Sequence, residues 1–151
     1  MWIERDISKA TAIRPSVSAV IWDGRGRVLL GRRADNGQWG LPGGNVEIGE
    51  SVAEAILREV REETGLAVAV SRLVGVYSDP AWMVVRYPDG RVVHYVNTCF
   101  ECRVTGGELA TCSETTALAY FDPAMLPEDT VPQHRLRVAD AVSPSGGPFI
   151  H

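Results

Sequence analysis

The chain's most informative segment reads GNVEIGESVAEAILREVREETGL, from Gly44 to Leu66. Ser51, followed three residues later by Glu54, forms a capping box, which predicts a helix over residues 50–64. Gly65 comes directly after this stretch and suits the left-handed residue that ends a helix. Apolar residues at helical spacing predict the face that packs on the core, and they are Ala53, Ile56, Leu57 and Val60.

Three carboxylates fall on one turn of this predicted helix. Glu59, Glu62 and Glu63 are spaced i, i+3 and i+4, so they share a face although like charges there destabilise a helix. Such a cluster of oxygens suits Mg²⁺, which is typically shared with substrate phosphates. The glycine-rich residues 39–44 bring an unobstructed backbone to the same place, and backbone amides favour an anion. The alternative is an ordinary solvated glutamate face.

The spacing within this segment is more specific than the three acids alone. From Gly44 through Glu50 to the run REVREETGL that starts at Arg58, the chain resembles the Nudix box of the Nudix hydrolase family at every defining position. The probability that all of its fixed residues match by chance is on the order of 10⁻⁸ for each starting position. Residues 39–44 also look like the lead-in common in that family.

The resemblance implies a fold and a reaction. The fold is an α/β/α sandwich, with the box helix packed on a mixed sheet. The reaction is hydrolysis of the diphosphate linkage in a nucleoside diphosphate joined to another moiety, with Mg²⁺ or Mn²⁺ as cofactor. The family pattern assigns metal binding to Gly44, through its carbonyl, and to Glu59, Glu62 and Glu63. It gives Glu50 and Arg58 the task of orienting those carboxylates.

The general base is less firmly assigned by the resemblance. Some family members use a glutamate of the box, and others use a glutamate on a later loop. Glu114, within residues 111–115 and ahead of a predicted strand, is the loop residue that fits this role. Its alternative is a solvated acid with no part in catalysis.

Residues outside the box would choose the substrate. Arg32 and Arg33 suit bidentate phosphate binding, or are simply surface arginines. Trp39 and Trp82 suit stacking on a base, although Trp39 fits support of its own loop better. A proline shortly after the box, as at Pro80, is common in members that act on ADP-ribose.

We therefore expect an ADP-ribose or nucleotide-sugar pyrophosphatase. The first alternative is a nucleoside triphosphate pyrophosphatase that releases pyrophosphate. The second is a non-catalytic Nudix-like ligand-sensing domain, although this chain retains every box acid. Related ADP-ribose enzymes are often homodimers, so a homodimer is the assembly that the resemblance suggests.

Around the box helix the chain alternates mainly between strand and turn patterns. We predict one α+β domain over residues 1–151, with 1–15 as an entry segment and 143–151 as a frayed tail. A hairpin is expected over residues 16–30, because turn residues separate two apolar runs. Further strands are predicted over 66–77, 83–87, 92–104 and 117–121, and a second helix over 131–142.

Composition excludes several classes of protein. The 151 residues are 45% hydrophobic and 23% charged, which is typical of a globular chain rather than a disordered one. A net charge of −4 argues against a nucleic acid polymer as partner. Cys99 and Cys102 lie three apart on a predicted strand, so they should face opposite sides as free buried thiols.

The same composition gives an expected compartment. No apolar run approaches the roughly 20 residues of a membrane helix. Residues 1–6 lack the basic and apolar regions of a secretory signal. We therefore expect a soluble cytoplasmic protein with a small nucleotide as its partner and no membrane.

Overall fold

A computed structural model describes residues 1–151 as ten strands, three α-helices and one 3-10 turn. The strands are β1 (Trp2–Ile3), β2 (Ala12–Ile21), β3 (Val28–Arg33), β4 (Trp39–Gly40), β5 (Gly43–Asn45), β6 (Leu66–Tyr77), β7 (Val84–Arg86), β8 (Val92–Gly107), β9 (Thr115–Phe121) and β10 (Phe149–Ile150). The helices are α1 (Val52–Thr64), α2 (Pro80–Met83) and α3 (Pro132–Val142). None of these helices is long and apolar enough to span a bilayer.

The larger sheet is mixed and is built around β8. Strand β2 runs parallel to β8 along one edge, whereas β6 and β7 pair with its other edge in the antiparallel sense. The order β1-β7-β8-β2-β5 defines the main path, and β10 adds to the free edge of β6. A second antiparallel sheet has the order β4-β3-β9.

The two long helices cover opposite faces of the mixed sheet. Val17, Ala19 and Ile21 of β2 join one core cluster, which includes Ile56 and Val60 of α1. Val20, an even-numbered residue of β2 between Ala19 and Ile21, joins the second cluster with Val138 of α3. Successive side chains of a strand point to opposite faces, so this division places helices on both sides of the sheet. The predicted α/β/α sandwich with a mixed sheet is confirmed.

Helix α1 forms where its local signals predict it. Ser51 and Glu54 make both hydrogen bonds of the capping box, and Gly65 ends the helix in the left-handed region with φ of 77°. The buried face differs from the expected one, because Ala53 is exposed and Leu57 is 41% exposed. The core positions are taken by Ala55, Ile56, Val60 and Thr64. Thr64 is tolerated there because its hydroxyl donates to the Val60 carbonyl at 2.6 Å.

The predicted hairpin over residues 16–30 is wrong. The turn forms, with the Asp23 amide donating to the Arg27 carbonyl at 2.9 Å, but β2 and β3 diverge into different sheets. Only Trp22 and Val28 make a bridge between the two chain segments. Strand β8 pairs along the whole of one edge of β2, and β5 pairs with Ser16–Ser18 on the other edge, so β3 has no free edge there on which to form the predicted ladder.

The chain ends are more ordered than expected. The predicted frayed tail over 143–151 is wrong, because β10 pairs in parallel with β6 and the His151 amide donates to the Val76 carbonyl at 2.9 Å. The open edge of β6 provides these partners. Within the entry segment 1–15, β1 pairs with β7 and β2 already begins at Ala12.

Two smaller expectations concern residues 80–102. Pro80 begins the one-turn helix α2, and the strand expected from Met83 begins at Val84 instead. Cys99 and Cys102 are both free and buried. They belong to the core clusters on opposite faces of the sheet, as predicted.

Candidate active site

The box helix and the glycine-rich strand β5 meet at two adjoining cavities, each of about 510 Å³. The loop cavity lies between β3, β4 and the 113–115 loop, and the sheet cavity extends across β5, β2 and β8. Both cavities share the lining residues Arg33, Leu41, Gly43, Glu63, Glu114 and His134. Glu63 and Glu114 therefore border both spaces.

Two glycines allow the box carboxylates to approach β5. The Gly43 amide donates to Oε2 of Glu63 at 3.1 Å. A Cβ on Gly44 would lie only 2.7 Å from Oε2 of Glu59, so this carboxylate fills the space that any other residue would need. The glycine pair thus brings bare backbone against both carboxylates, as the sequence predicted.

Five acids line the cavities: Glu59, Glu63 and Glu114, together with Asp35 in the loop cavity and Glu47 in the sheet cavity. Burial raises the pKa of Glu63 to about 8, and the charges of Glu59 and Glu114 add to this rise while the Gly43 amide opposes it. Burial also raises the pKa of Glu59, against the lowering effect of Arg58, and Glu114 adds to that rise. Protons therefore compete with a cation for these two carboxylates at low pH, and cation binding is more favourable at high pH.

Glu62 is not brought into this group. Its side chain is 58% exposed and accepts from Nη1 of Arg58 at 3.2 Å, and it borders neither cavity. The three box acids share a helical turn as predicted, but only Glu59 and Glu63 lie at the cavity wall. Glu114, on the loop before β9, supplies the third acidic wall.

Arg58 links several residues of the box through hydrogen bonds. It donates to both oxygens of Glu50, at 2.7 Å each, and to Oε1 of Glu59 at 3.0 Å. A further bond reaches the Asn45 carbonyl at 3.0 Å. The hydrogen bond from Arg58 lowers the pKa of Glu50 to about 2, so Glu50 stays ionised and fixes the guanidinium. Glu50 and Arg58 therefore position Glu59.

The donor set fits a hard divalent cation that keeps water ligands. No three His, Cys, Asp or Glu side chains are arranged to hold a metal ion by themselves. Mg²⁺ typically takes one or two carboxylates and completes its shell with waters and substrate phosphates. Two partly buried carboxylates beside an unobstructed glycine backbone match that pattern, since the Gly44 position leaves no side chain in the way.

The two predicted phosphate-binding arginines differ. Arg33 borders both cavities and forms a two-point contact with Asp35, at 3.0 and 2.8 Å. Its hydrogen bond to Asp35 raises the pKa of Arg33. Arg32 borders neither cavity and donates to the Gly37 carbonyl at 3.0 Å, so it shapes the loop after β3.

The two predicted stacking tryptophans also differ. Trp39 packs edge-to-face on Phe121, with ring centroids 5.0 Å apart, and borders neither of the two site cavities. It supports the fold, which was its alternative interpretation. Trp82 lies on α2, is 55% exposed and borders the sheet cavity.

Two residues of α3 reach the site without any sequence signal. Nδ1 of His134 accepts from the Leu41 amide at 2.8 Å, which fixes a neutral ring with its proton on Nε2. Burial, followed by the charges of Arg137 and Arg33, lowers the pKa of His134 well below its usual value. Arg137 borders the sheet cavity as well. Neither residue has a ligand spacing that would mark it in the sequence.

Comparison with known proteins decides the family. A family model described as NUDIX domain matches residues 12–141. The chain belongs to the Nudix family. As a Nudix hydrolase it shares an enzyme class that acts on small nucleotides and uses divalent metal ions. The match spans the box, the mixed sheet and nearly all of α3.

Individual Nudix relatives cover most of the chain. A MutT-like protein from Streptomyces ambofaciens is 37% identical over 131 residues, which are 87% of this chain and 78% of that protein. An ADP-ribose pyrophosphatase from Methanocaldococcus jannaschii is 43% identical over 105 residues, which are 68% of this chain and 58% of that protein. The crystal structure of a UDP-X diphosphatase shares the fold, with a TM-score of 0.75 at 24% identity, covering 97% of this chain and 71% of that chain.

Proposed function

We propose that this Nudix hydrolase is a Mg²⁺-dependent pyrophosphatase for a nucleoside diphosphate linked to another moiety, such as ADP-ribose or a nucleotide sugar. The observation that carries the proposal is the meeting of Glu59, Glu63 and Glu114 at cavities walled by the bare backbone of Gly43 and Gly44. The ADP-ribose pyrophosphatase that is 43% identical supports this substrate class. A cytoplasmic location, expected from the composition, and a homodimer, suggested by the family resemblance, belong to the same proposal.

Glu59 and Glu63, together with the Gly44 carbonyl, would hold the cation, and Glu62 would have to leave Arg58 to join them. When bound, Mg²⁺ neutralises the charge of the diphosphate, polarises the phosphoryl group and lowers the pKa of a water ligand. Arg58 keeps Glu59 in place through their 3.0 Å hydrogen bond while Glu50 holds the guanidinium from the other side. This rigid support lets the carboxylates meet the substrate without rearranging.

Glu114 is the proposed general base. It faces Glu59 and Glu63 from a separate loop, so it borders the cavities without being held by Arg58. A base must lie within hydrogen-bond reach of the attacking water, and Glu114 lines both cavities in which that water would lie. Arg33 borders the same space and would bind phosphoryl oxygens with the donors that Asp35 leaves free.

A nucleotide panel with Mg²⁺ tests the proposal. Each compound is incubated with the protein, and the products are separated by anion-exchange chromatography. A nucleoside monophosphate plus a sugar phosphate, from ADP-ribose or a nucleotide sugar, is the expected result. Release of pyrophosphate from triphosphates alone would favour the alternative activity, and binding without any cleavage would favour a ligand-sensing domain.

A further inference from the structure

The guanidinium of Arg137 is buried without a carboxylate partner. The residue is 3% exposed, and its Nε has no hydrogen-bond partner. Its other nitrogens reach only Oγ of Ser18, at the long distance of 3.5 Å, and the thioether Sδ of Met83, a weak acceptor, at 3.5 Å. The Tyr77 ring lies 5.3 Å from the guanidinium carbon. A buried charge with so few acceptors is costly unless a ligand supplies them.

The neighbouring polar side chains are already engaged with one another. Ser18 donates its hydroxyl to Oδ1 of Asn97 at 2.8 Å, and Nδ2 of Asn97 donates to Oγ of Ser16 at 2.9 Å. Asp140, one turn along α3, accepts from the Tyr77 hydroxyl at 2.7 Å. The protein therefore offers Arg137 no strong acceptor. Because Nε is enclosed, the donors that a ligand in the sheet cavity could meet are those of Nη1 and Nη2.

Arg137 borders the same sheet cavity as Glu59 and Glu63. The cavity floor crosses β5, β2 and β8, since Ser18 pairs with Gly43 on one side and Cys99 on the other. Adjacent strands lie about 4.8 Å apart, so the floor is long enough to extend past the carboxylates. The carboxylates occupy the β5 end, and Arg137 meets the floor at Ser18 on β2.

Aromatic residues wall the part of the cavity beyond β2. The hydroxyls of Tyr95, on β8, and Tyr87, just after β7, form a hydrogen bond there. The exposed ring of Trp82 borders the same space. Such rings suit a flat heterocycle rather than a phosphate. The diphosphate belongs instead at the β5 end, where the proposed cation would neutralise it.

We propose that Arg137 recognises the carbonyl edge of the nucleobase, so that oxo-purines such as guanine or hypoxanthine are preferred over adenine. Arginine carries only donors, and it pairs well with the two acceptors of a guanine edge. Adenine presents an amino donor at the matching position, which would face the guanidinium unfavourably. The inference rests on the proposed function and narrows its substrate class to nucleotide sugars with an oxo-base, away from ADP-ribose, whose base is adenine.

Two substrate pairs test this preference. ADP-glucose is compared with GDP-glucose, and ATP with ITP, by measuring kcat/KM for the wild-type protein and for Arg137→Met. The wild-type protein is expected to favour the oxo-base by about tenfold or more, and the variant to lose that preference. Arg135→Met is the matched control, because Arg135 lies on the same helix but donates to the Pro127 and Glu128 carbonyls outside the cavities. It should keep the preference.

Two other results would overturn the inference. An equal loss of kcat/KM for every base would assign Arg137 to phosphate binding, and an unchanged base ratio would assign it to the fold. Should Arg137→Met fail to fold, Arg137→Lys keeps the charge but removes the planar fork, so it should reduce the preference. If the wild-type protein cleaves neither ADP-ribose nor either nucleotide sugar, the proposed function fails. In that case, calorimetric binding of GDP and ADP to the wild-type protein and to Arg137→Met tests the inference separately. The inference predicts that the wild-type protein binds GDP more tightly and that the variant loses this difference.

Discussion

The Gly43 amide donates to the Glu63 carboxylate at 3.1 Å, and this bond joins the glycine-rich strand to the box helix. It holds a carboxylate at the cavity wall although burial raises the pKa of that group to about 8. Neighbouring Gly44 gives Glu59 the same close approach to backbone. Gly43 thus contacts the carboxylate of Glu63, and Gly44 contacts that of Glu59.

Alanine at these two glycines should separate stability from activity. A Cβ on Gly43 would lie 2.9 Å from Cα of Ser18 and closer still to the Val17 carbonyl, so Gly43→Ala should lose at least about 2 kcal/mol of unfolding free energy. The atoms nearest to a Cβ on Gly44 all belong to the Glu59 carboxylate, the far end of a side chain that can rotate away. Gly44→Ala should therefore keep its urea midpoint and lose at least about tenfold in kcat. A fully active Gly44→Ala protein would contradict this description of the site.

Neutral replacements of the two cavity carboxylates should abolish most of the turnover. Glu59→Gln and Glu63→Gln are each expected to lower kcat by at least about a hundredfold, because a neutral amide no longer supports metal or base chemistry. Glu108→Gln provides a matched control, since this exposed acid lies outside both cavities. Rates near the wild-type value in both cavity variants would remove the assignment.

Arg58 should support metal binding by positioning Glu59 through its hydrogen bonds, and not through its positive charge alone. Arg58→Lys keeps the charge but cannot donate to both Glu50 oxygens and to Glu59 at once. We expect the Mg²⁺ concentration for half-maximal activity to rise about tenfold, since supporting residues of metal ligands typically have effects of this size. Arg61→Lys, on the exposed side of the same helix, should leave the metal dependence unaltered.

Removal of divalent metal should expose the titration of Glu63. Its pKa is 4.5 in an unfolded chain and about 8 in the folded protein, so the folded state binds the proton more tightly. The resulting stabilisation is complete below pH 4.5 and is lost as the pH rises through 8. In EDTA, the wild-type Tm should therefore fall between pH 6 and 8.5 relative to that of Glu63→Gln. Parallel Tm curves for the two proteins would contradict the raised pKa.

The parts of the fold that the sequence predicts are those with local causes. Helix α1 follows from the capping box at Ser51 and the stop at Gly65, which act within a few residues. The 16–30 hairpin was predicted wrongly because the pairing of β2 depends on β8, which lies far along the chain. Likewise, β10 forms because the edge of β6 is open, and nothing within residues 143–151 signals that.

The same division holds for the site. Spacing identified Glu59 and Glu63 because a family pattern fixes both on one helix. It could not tell that Glu62 lies against Arg58, since all three acids share the turn. Arg137 was missed because its role comes from burial beside Ser18 on β2, a contact across 119 residues of sequence.

The most direct test of the central claim is Mn²⁺ binding followed by electron paramagnetic resonance at pH 8. Mn²⁺ takes the same oxygen ligands as Mg²⁺ and reports its own bound fraction. The wild-type protein should bind Mn²⁺, and Glu59→Gln combined with Glu63→Gln should weaken that binding by at least about tenfold. Equal Mn²⁺ binding by the wild-type and doubly substituted proteins would contradict the claim that these carboxylates hold the catalytic cation.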